Sequence, residues 1–219
     1  MESISADGRE PPPPAIIVPG KRIMDSWIHD NLKGDELILL SDSGYTNDTL
    51  AVAWIKHFIK HVDAGPDKPW KMLLLDGHTT HENDEFGLLA IANHIQLFYF
   101  PSHLTHIMQP LDVGVFQPWK HYHNQAIMHA LRSLDFEYTI SSLFHDLQGI
   151  RQSTFKESTI KHAFKRAGIW PVNCERALKK MRKFSQKKSI PPPSSPELPT
   201  PPTPRTIHQS QIGMEEWEQ

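Results

Sequence analysis

Residues 72–78, MLLLDGH, and residues 109–116, QPLDVGVF, are the most informative parts of this chain. The apolar run of the first stretch predicts a buried strand that ends at Asp76, and Asp112 opens a second apolar stretch. A carboxylate at the end of a buried strand is costly unless it is paired. Two such carboxylates brought together indicate a site for a hard divalent cation, because Mg²⁺ is typically held by one or two carboxylates plus substrate phosphates. This combination indicates phosphodiester chemistry.

The pattern around Asp76 predicts a β–α–β unit. A strand over 70–76 is followed by a helix over 83–93 and by a strand over 95–100, which Pro101 closes. Such a crossover makes the two strands parallel neighbours with helices on the faces of the sheet. Further helices are predicted over 113–131, 140–148 and 156–167, so the fold class is α/β with a helical C-terminal part.

Short apolar runs precede this unit. Ile4 to Ala6 and Ala15 to Val18 are predicted strands, separated by a connection with four consecutive prolines that cannot donate ladder hydrogen bonds. Leu37 to Leu40 is a third short run. A helix capped by Asn47 or Asp48 is predicted to run through about Val62, with its apolar residues on one face.

Composition divides the chain into a globular domain, residues 1–184, and a Pro/Ser/Thr-rich tail, residues 185–219. The tail has too few apolar residues to offset its ordering entropy and is predicted to be disordered. Basic pairs between Lys179 and Lys188 lie at the junction. They indicate a nuclear-localisation or phosphate-binding patch, or equally a solvated basic helix end.

Bulk properties favour a soluble intracellular protein without a membrane span. The 219 residues are 38% hydrophobic and carry a formal charge of −2, which does not by itself indicate a nucleic-acid binder. The single cysteine, Cys174, excludes an internal disulfide. No apolar run approaches the roughly 20 residues that a transmembrane helix needs.

The two aspartate stretches, with the PSHLTH sequence at 101–106 between them, resemble the catalytic core of pogo/Tigger-type DDE transposases. The resemblance runs from about Ile4 to Asn173 and ends in the GIWP sequence at 168–171. Tyr45 stands where that family more often has Trp. The resemblance implies an RNase H-like fold and a DDE endonuclease or transposase that cuts and joins DNA.

The resemblance also implies roles for individual residues. Asp76 and Asp112 match the second and third members of a carboxylate triad that holds two divalent metals, Mg²⁺ or Mn²⁺. One metal would activate a water or a 3′-hydroxyl, and the other would stabilise the leaving oxygen. The expected partners are DNA and another transposase chain, in the nucleus, with no membrane and no small-molecule substrate.

Several polar side chains near the aspartates have two interpretations. His78 and His81 are expected to hydrogen-bond the carboxylates or a loop backbone. With histidines 103 and 106 they also allow a zinc site, the weaker interpretation because no cysteine is nearby. Gln109 and Lys120 could contact phosphate, although an exposed polar residue without a ligand is the default for each. The tryptophans at 54, 70, 119 and 170 are predicted to lie in the core or at its edge.

No position in the sequence matches the family's first aspartate, which lies on the central opening strand of its sheet. That strand is therefore expected to be missing, so the RNase H-like fold is incomplete and two facing sheet edges are unpaired. The chain is expected to bind metal weakly and to lack turnover. Alternatives are an active enzyme whose third carboxylate comes from another residue or chain, and a host-adopted, non-catalytic nuclear module that binds DNA or protein.

Overall fold

The computed structural model describes residues 1–76, 84–101, 104–133 and 137–188, with side chains described as far as residue 183. Its elements alternate between short strands and helices and then become all helical. They are β1 (Ala15–Pro19), a 3₁₀ turn (Asp25–Trp27), β2 (Leu37–Ser41), α1 (Asp48–His61), β3 (Lys71–Leu75), α2 (Asp84–Ala92), β4 (Ile95–Tyr99), α3 (Thr105–Met108), a π turn (Leu111–Val115), α4 (Phe116–Arg132), α5 (Ile140–Thr154), α6 (Glu157–Ala167) and α7 (Cys174–Lys188).

The predicted β–α–β unit is confirmed. Strands β3 and β4 are parallel, with Lys71 opposite Ile95 and Leu75 opposite Tyr99, and α2 connects them. The helix between the two strands carries the chain back to the end of the sheet at which the first strand began, so the two strands run parallel. The mixed α/β class is therefore as predicted from the sequence.

A second parallel pair, β1 with β2, stands beside the first. Ala15 pairs with Leu37 and Pro19 with Ser41, and among the described residues no ladder joins this pair to β3–β4. On the other edge of β1 the backbone of Ala15 exchanges two hydrogen bonds with Met1. Within the part of the chain that the structure describes, the edge of β1 away from β2 is thus paired at one residue.

The predicted strand at Ile4 to Ala6 is wrong. Residues 5–8 form a turn closed by the bond from Gly8 N to Ser5 O (2.9 Å), and Gly8 has a φ of +80°. Asp7 binds the Arg9 guanidinium within this turn. The prolines that follow offer no N–H for a ladder, and the first strand begins only after them, at Ala15.

One apolar core lies beneath both strand pairs. It is built by α1 and α2 against the inward side chains of the strands. Asn47 begins α1 as predicted, because its Oδ1 accepts a hydrogen bond from Leu50 N (2.9 Å). The buried members are Ala15, Ala51, Val52, Trp54, Ile55, Leu75, Phe86, Ala90 and Ile95.

The C-terminal helices form a second layer of packing. Helix α5 packs on α4, and α6 packs on the π turn. The apolar side chains of α5 and α6 point inward, among them Phe144, Ile150 and Ile160, which are at most 4% exposed. Helix α6 ends at Gly168, whose left-handed φ of +76° is the usual way for a helix to terminate.

A buried ion pair ties the N-terminal segment to these helices. Arg151 of α5 binds both carboxylate oxygens of Glu2 at 3.0 Å and also donates to Pro12 O. Both side chains are about nine-tenths buried. Burial nevertheless raises the pKa of Glu2, against the opposing effect of the Arg151 charge, because desolvation outweighs the ionic attraction. The pair therefore fixes geometry more than it adds stability.

Candidate active site

The carboxyl ends of β3 and β4 form the edge at which Asp76 lies. Asp76 follows Leu75 directly, and the Phe100 N–H, directly after β4, donates to Leu75 O (2.8 Å). Because the strands are parallel, both chains leave the sheet at the same edge. This is where ligands bind in open α/β sheets.

Asp112 reaches that edge from the π turn before α4. The predicted helix over 113–131 is present as α4, but five residues of wider helix, Leu111–Val115, precede it. Asp112 is therefore not the N-cap of α4, since Val115 occupies that position and no side chain caps it. π turns are rare and are frequent at functional sites.

Tight packing holds the π turn in place. A methyl group on Gly114 would lie 2.7 Å from the Cβ and 2.8 Å from the Cα of Ala163 in α6. Real Cβ contacts are not that short, so only glycine allows the turn to approach α6 so closely. Val113 and Val115 on either side are buried. The backbone that carries Asp112 is thus fixed from behind by α6.

The two aspartates influence each other's charge. Partial desolvation, followed by the negative charge of Asp76, raises the pKa of the Asp112 carboxyl. A hydrogen bond from the Thr105 side chain and the positive charges of His106 and Lys120 act in the opposite direction. A negative charge nearby disfavours the ionised form of a carboxyl group and therefore raises its pKa. The structure therefore brings Asp76 and Asp112 into one electrostatic site.

The remaining predicted residues divide into three groups. Lys120 of α4 is exposed and close enough to affect Asp112. Gln109 ends α3, and its backbone carbonyl accepts from Val113 N (3.0 Å), so its backbone supports the π turn. Its side chain is not brought to the carboxylates by any contact described for it. The histidines at 78, 81 and 103 lie outside the described residues.

Thr105 is the site residue that sequence reasoning missed. It begins α3, a single helical turn, and binds Asp112, seven residues later. The only sequence signal was its place in the PSHLTH stretch beside His106. The tryptophan prediction holds for Trp54, which is 6% exposed, and fails for Trp70 and Trp170, which are each 58% exposed.

The donor set suits a hard divalent cation. Mg²⁺ and Mn²⁺ favour carboxylate oxygen, and two carboxylates that repel each other gain most from a shared positive ion. Over the described part of the chain no group of three His, Cys, Asp or Glu side chains converges. Asp76 and Asp112 are the candidate ligands for such an ion among the described residues.

Comparison with known proteins agrees with this arrangement. The family model of the DDE superfamily endonucleases matches residues 1–164, three quarters of the chain. The chain belongs to this family. The match confirms the resemblance to pogo/Tigger-type DDE transposases, and DDE endonucleases generally use divalent metals and act on DNA.

One relative of this DDE endonuclease chain is a fungal protein. It is the "MFS-type transporter clz9" of Cochliobolus lunatus, 28% identical over 175 residues, which cover 77% of this chain. The chain spans 18% of the length of that relative. No helix in the described ranges is long and apolar enough to cross a membrane. No solved structure matches the chain.

Proposed function

We propose that Asp76 and Asp112 hold a divalent metal ion for phosphodiester cleavage and strand transfer on DNA. The observation that carries the proposal is the placement of the two aspartates, Asp76 directly after β3 and Asp112 on the π turn that α6 holds in place. Desolvation and then the nearby charge of Asp76 raise the pKa of Asp112, which supports a shared site. Membership of the DDE superfamily endonucleases supports the reaction class. Mg²⁺ or Mn²⁺ bound there would activate an attacking hydroxyl and stabilise the leaving oxygen.

The surrounding residues have supporting tasks in this proposal. The Thr105 hydroxyl donates to the Asp112 carboxylate, which orients that carboxylate and favours its charged form. Lys120 adds positive charge beside it, where a DNA phosphate would approach, and His106 adds to this charge only in its protonated form. The RNase H-like arrangement of the sheet is part of the same proposal, since parallel strands carry the site at their carboxyl ends.

Two of the three carboxylates of the family triad are matched within these 219 residues. We therefore expect the chain by itself to bind metal weakly and to show no turnover, because a misplaced reacting group alone can cost about 10²-fold in rate. A nuclear location and pairing with another transposase chain follow from a DNA substrate and remain proposals. Fluorescence microscopy of a tagged chain would test the nuclear location, and sedimentation of the chain bound to DNA would test the pairing.

Mn²⁺ binding to three variants tests the metal site. Asp76→Asn and Asp112→Asn should each lower the Mn²⁺ affinity of the purified chain at least about tenfold, since changing even groups that support a ligand costs 10- to 100-fold. Asp67→Asn removes the same charge from an exposed residue that precedes β3, at the opposite end of the strand from Asp76, and its affinity should equal that of the unmodified chain. Equal affinities in all three variants would overturn the proposed site.

Incubation with nicked and intact DNA in Mn²⁺ tests turnover. No cleavage is expected from any variant. Cleavage that disappears in both Asp76→Asn and Asp112→Asn would contradict the expected lack of turnover and favour an active enzyme whose third carboxylate comes from another residue or chain. DNA binding that ignores Mn²⁺ and both substitutions would instead favour the non-catalytic nuclear module.

A further inference from the structure

The charge of the chain is distributed unevenly, although its net value is close to neutral. Residues 156–181, which include α6 and most of α7, contain seven Lys and Arg and two Glu, a formal charge of +5 within a chain of −2. One of the seven, Lys161, is engaged by Glu157 of the same helix at 2.5 Å. The remaining six Lys and Arg side chains make this part of the chain basic, although the whole chain has a formal charge of −2.

Two of these cations are held close together. Burial, followed by the positive charge of Arg166, lowers the pKa of the Lys180 ammonium. Among the described residues neither Lys180 nor Arg166 forms an ion pair with a carboxylate. Like charges at close range are unfavourable without a counterion. An anion between them would remove that cost.

The pair lies beside the candidate active site. Lys180 Nζ points at Ile107 O in α3 (3.5 Å), and Thr105 of the same short helix binds Asp112. Arg166 is carried by α6, which packs directly against the π turn at Gly114. A phosphate at the cation pair would therefore sit next to the elements that carry the carboxylate, without touching the carboxylate.

The site is built by folding and is not a chance run of basic residues. Arg176 Nη1 donates to Lys165 O at the end of α6 (2.6 Å), and the left-handed φ of Gly168 (+76°) allows the sharp turn between α6 and α7. Lys180 lies one helical turn after Arg176, on the same side of α7. The junction of α6 and α7 thus fixes the position of Lys180 relative to Arg166.

We propose that Lys180 and Arg166 bind the backbone phosphate of a nucleic-acid strand that leads to the Asp76–Asp112 site. The inference rests on the proposed function for the identity of the ligand, a nucleic acid. It adds a binding surface on α6 and α7 that is separate from the metal-binding carboxylates. The contact is to the phosphate, so it carries no sequence preference.

The salt dependence of DNA binding tests the inference. In the double variant Arg166→Gln/Lys180→Gln, affinity for a duplex oligonucleotide at low salt should fall about tenfold or more. The slope of log affinity against log salt should become shallower by roughly one to two, since each neutralised phosphate contributes about 0.9. Arg166→Gln alone leaves the Lys180 contact to α3 intact and should reduce the slope by about one.

A matched control separates this surface from net charge. Lys56→Gln/Lys68→Gln removes two charges that are already paired, with Glu85 and Asp63 at the surface. Its slope should equal that of the unmodified chain. Arg166→Lys/Lys180→Arg keeps both charges and should bind like the unmodified chain. Equal losses in the two charge-removing variants would overturn the inference.

Two further outcomes distinguish the ligand and the active site. Binding to phosphatidylserine vesicles that depends on the two cations, with DNA binding unchanged, would assign the surface to a membrane and overturn the inference. If the slope responds to the cations while Mn²⁺ affinity ignores both aspartates, this inference stands and the proposed metal site fails.

Discussion

At the scale of single residues, Asp112 shows how position and charge are set by different parts of the chain. Its position depends on Gly114, two residues later, and its charge depends on Asp76 and Thr105. The negative charge of one aspartate opposes ionisation of the other, so the pair is destabilising until a cation is bound. Such a cost is common where function requires like charges to meet.

Replacing Asp112 by Asn should stabilise the chain at neutral pH. The folded-state pKa of Asp112 is raised, so its ionised form costs stability, and this cost appears as pH rises from the unfolded-state pKa through the folded-state pKa. Asp112→Asn should therefore melt about 1–2 °C higher than the unmodified chain at pH 7.5, with a smaller difference near pH 4. Differential scanning fluorimetry across this range measures the effect.

Addition of Mn²⁺ provides the control for that prediction. The ion should raise the melting temperature of the unmodified chain and leave Asp112→Asn nearly unchanged, because binding to the folded state stabilises it by mass action. A melting difference that is constant with pH and insensitive to Mn²⁺ would mean that Asp112 and Asp76 do not share a site.

The two aspartates were predicted from the sequence, but Thr105, which binds Asp112, was not. The apolar run before it and the turn after it indicate Asp76, and the motif at 109–116 indicates Asp112. Each can therefore be predicted from residues close to it in sequence. Thr105 reaches Asp112 because α3 is one turn long and the chain then bends back through Gln109. That contact depends on tertiary geometry, which residue type alone does not encode.

At the scale of elements, sequence patterns correctly predicted the helices and strands that depend on interactions within a few residues. The parallel β3–β4 pair and α1 with its Asn47 cap agree with prediction because apolar periodicity and capping act within a few residues. The π turn was missed, because it differs from an α-helix by one residue per turn and is held by contact with α6. The parallel partner of β1 was missed because the connection from β1 to β2 contains only a 3₁₀ turn and lacks the helix that marks a parallel crossover.

Gly114→Ala should disturb the π turn and lower stability. The added methyl group would meet Ala163 at 2.7 Å from its Cβ and 2.8 Å from its Cα, so the turn and α6 must separate. Overpacking of this kind costs about 1–3 kcal/mol. Chemical denaturation should show this loss, and Mn²⁺ affinity should fall with it because Asp112 moves.

Gly149→Ala is the matched control for that substitution. Gly149 lies inside α5, and nothing lies within 4 Å of the position of an added Cβ. Alanine is favoured over glycine in helices by up to about 1 kcal/mol, so this variant should be equally or more stable. Ala163→Gly in the Gly114→Ala background should restore only part of the loss, because the contact with the Ala163 Cα remains. Equal stability of Gly114→Ala and Gly149→Ala would contradict the role assigned to this packing.

At the scale of the whole molecule, the β3–β4 pair packs on the core with one face and leaves the other face exposed. Parallel sheets are normally covered on both faces. On the face of β3–β4 away from that core, Met72 is 68% exposed and Phe98 is 48% exposed. The chain therefore presents an apolar sheet face in addition to the partly paired edge of β1, and both features favour association with other strands.

The exposed sheet face should dominate self-association of the 219-residue chain. The side chains of Met72 and Phe98 already point away from the core. Met72→Lys/Phe98→Thr therefore places polar side chains on the exposed face, and the fold should persist. We expect concentration-dependent aggregation, measured by light scattering and sedimentation velocity, to decrease clearly. Tyr45→Thr/Val172→Thr changes two side chains exposed by 78% and 73% elsewhere and should have little effect, since scattered apolar residues are normal on a surface. Unchanged aggregation of the sheet-face variant would instead assign association to the open strand edges, which its substitutions leave intact.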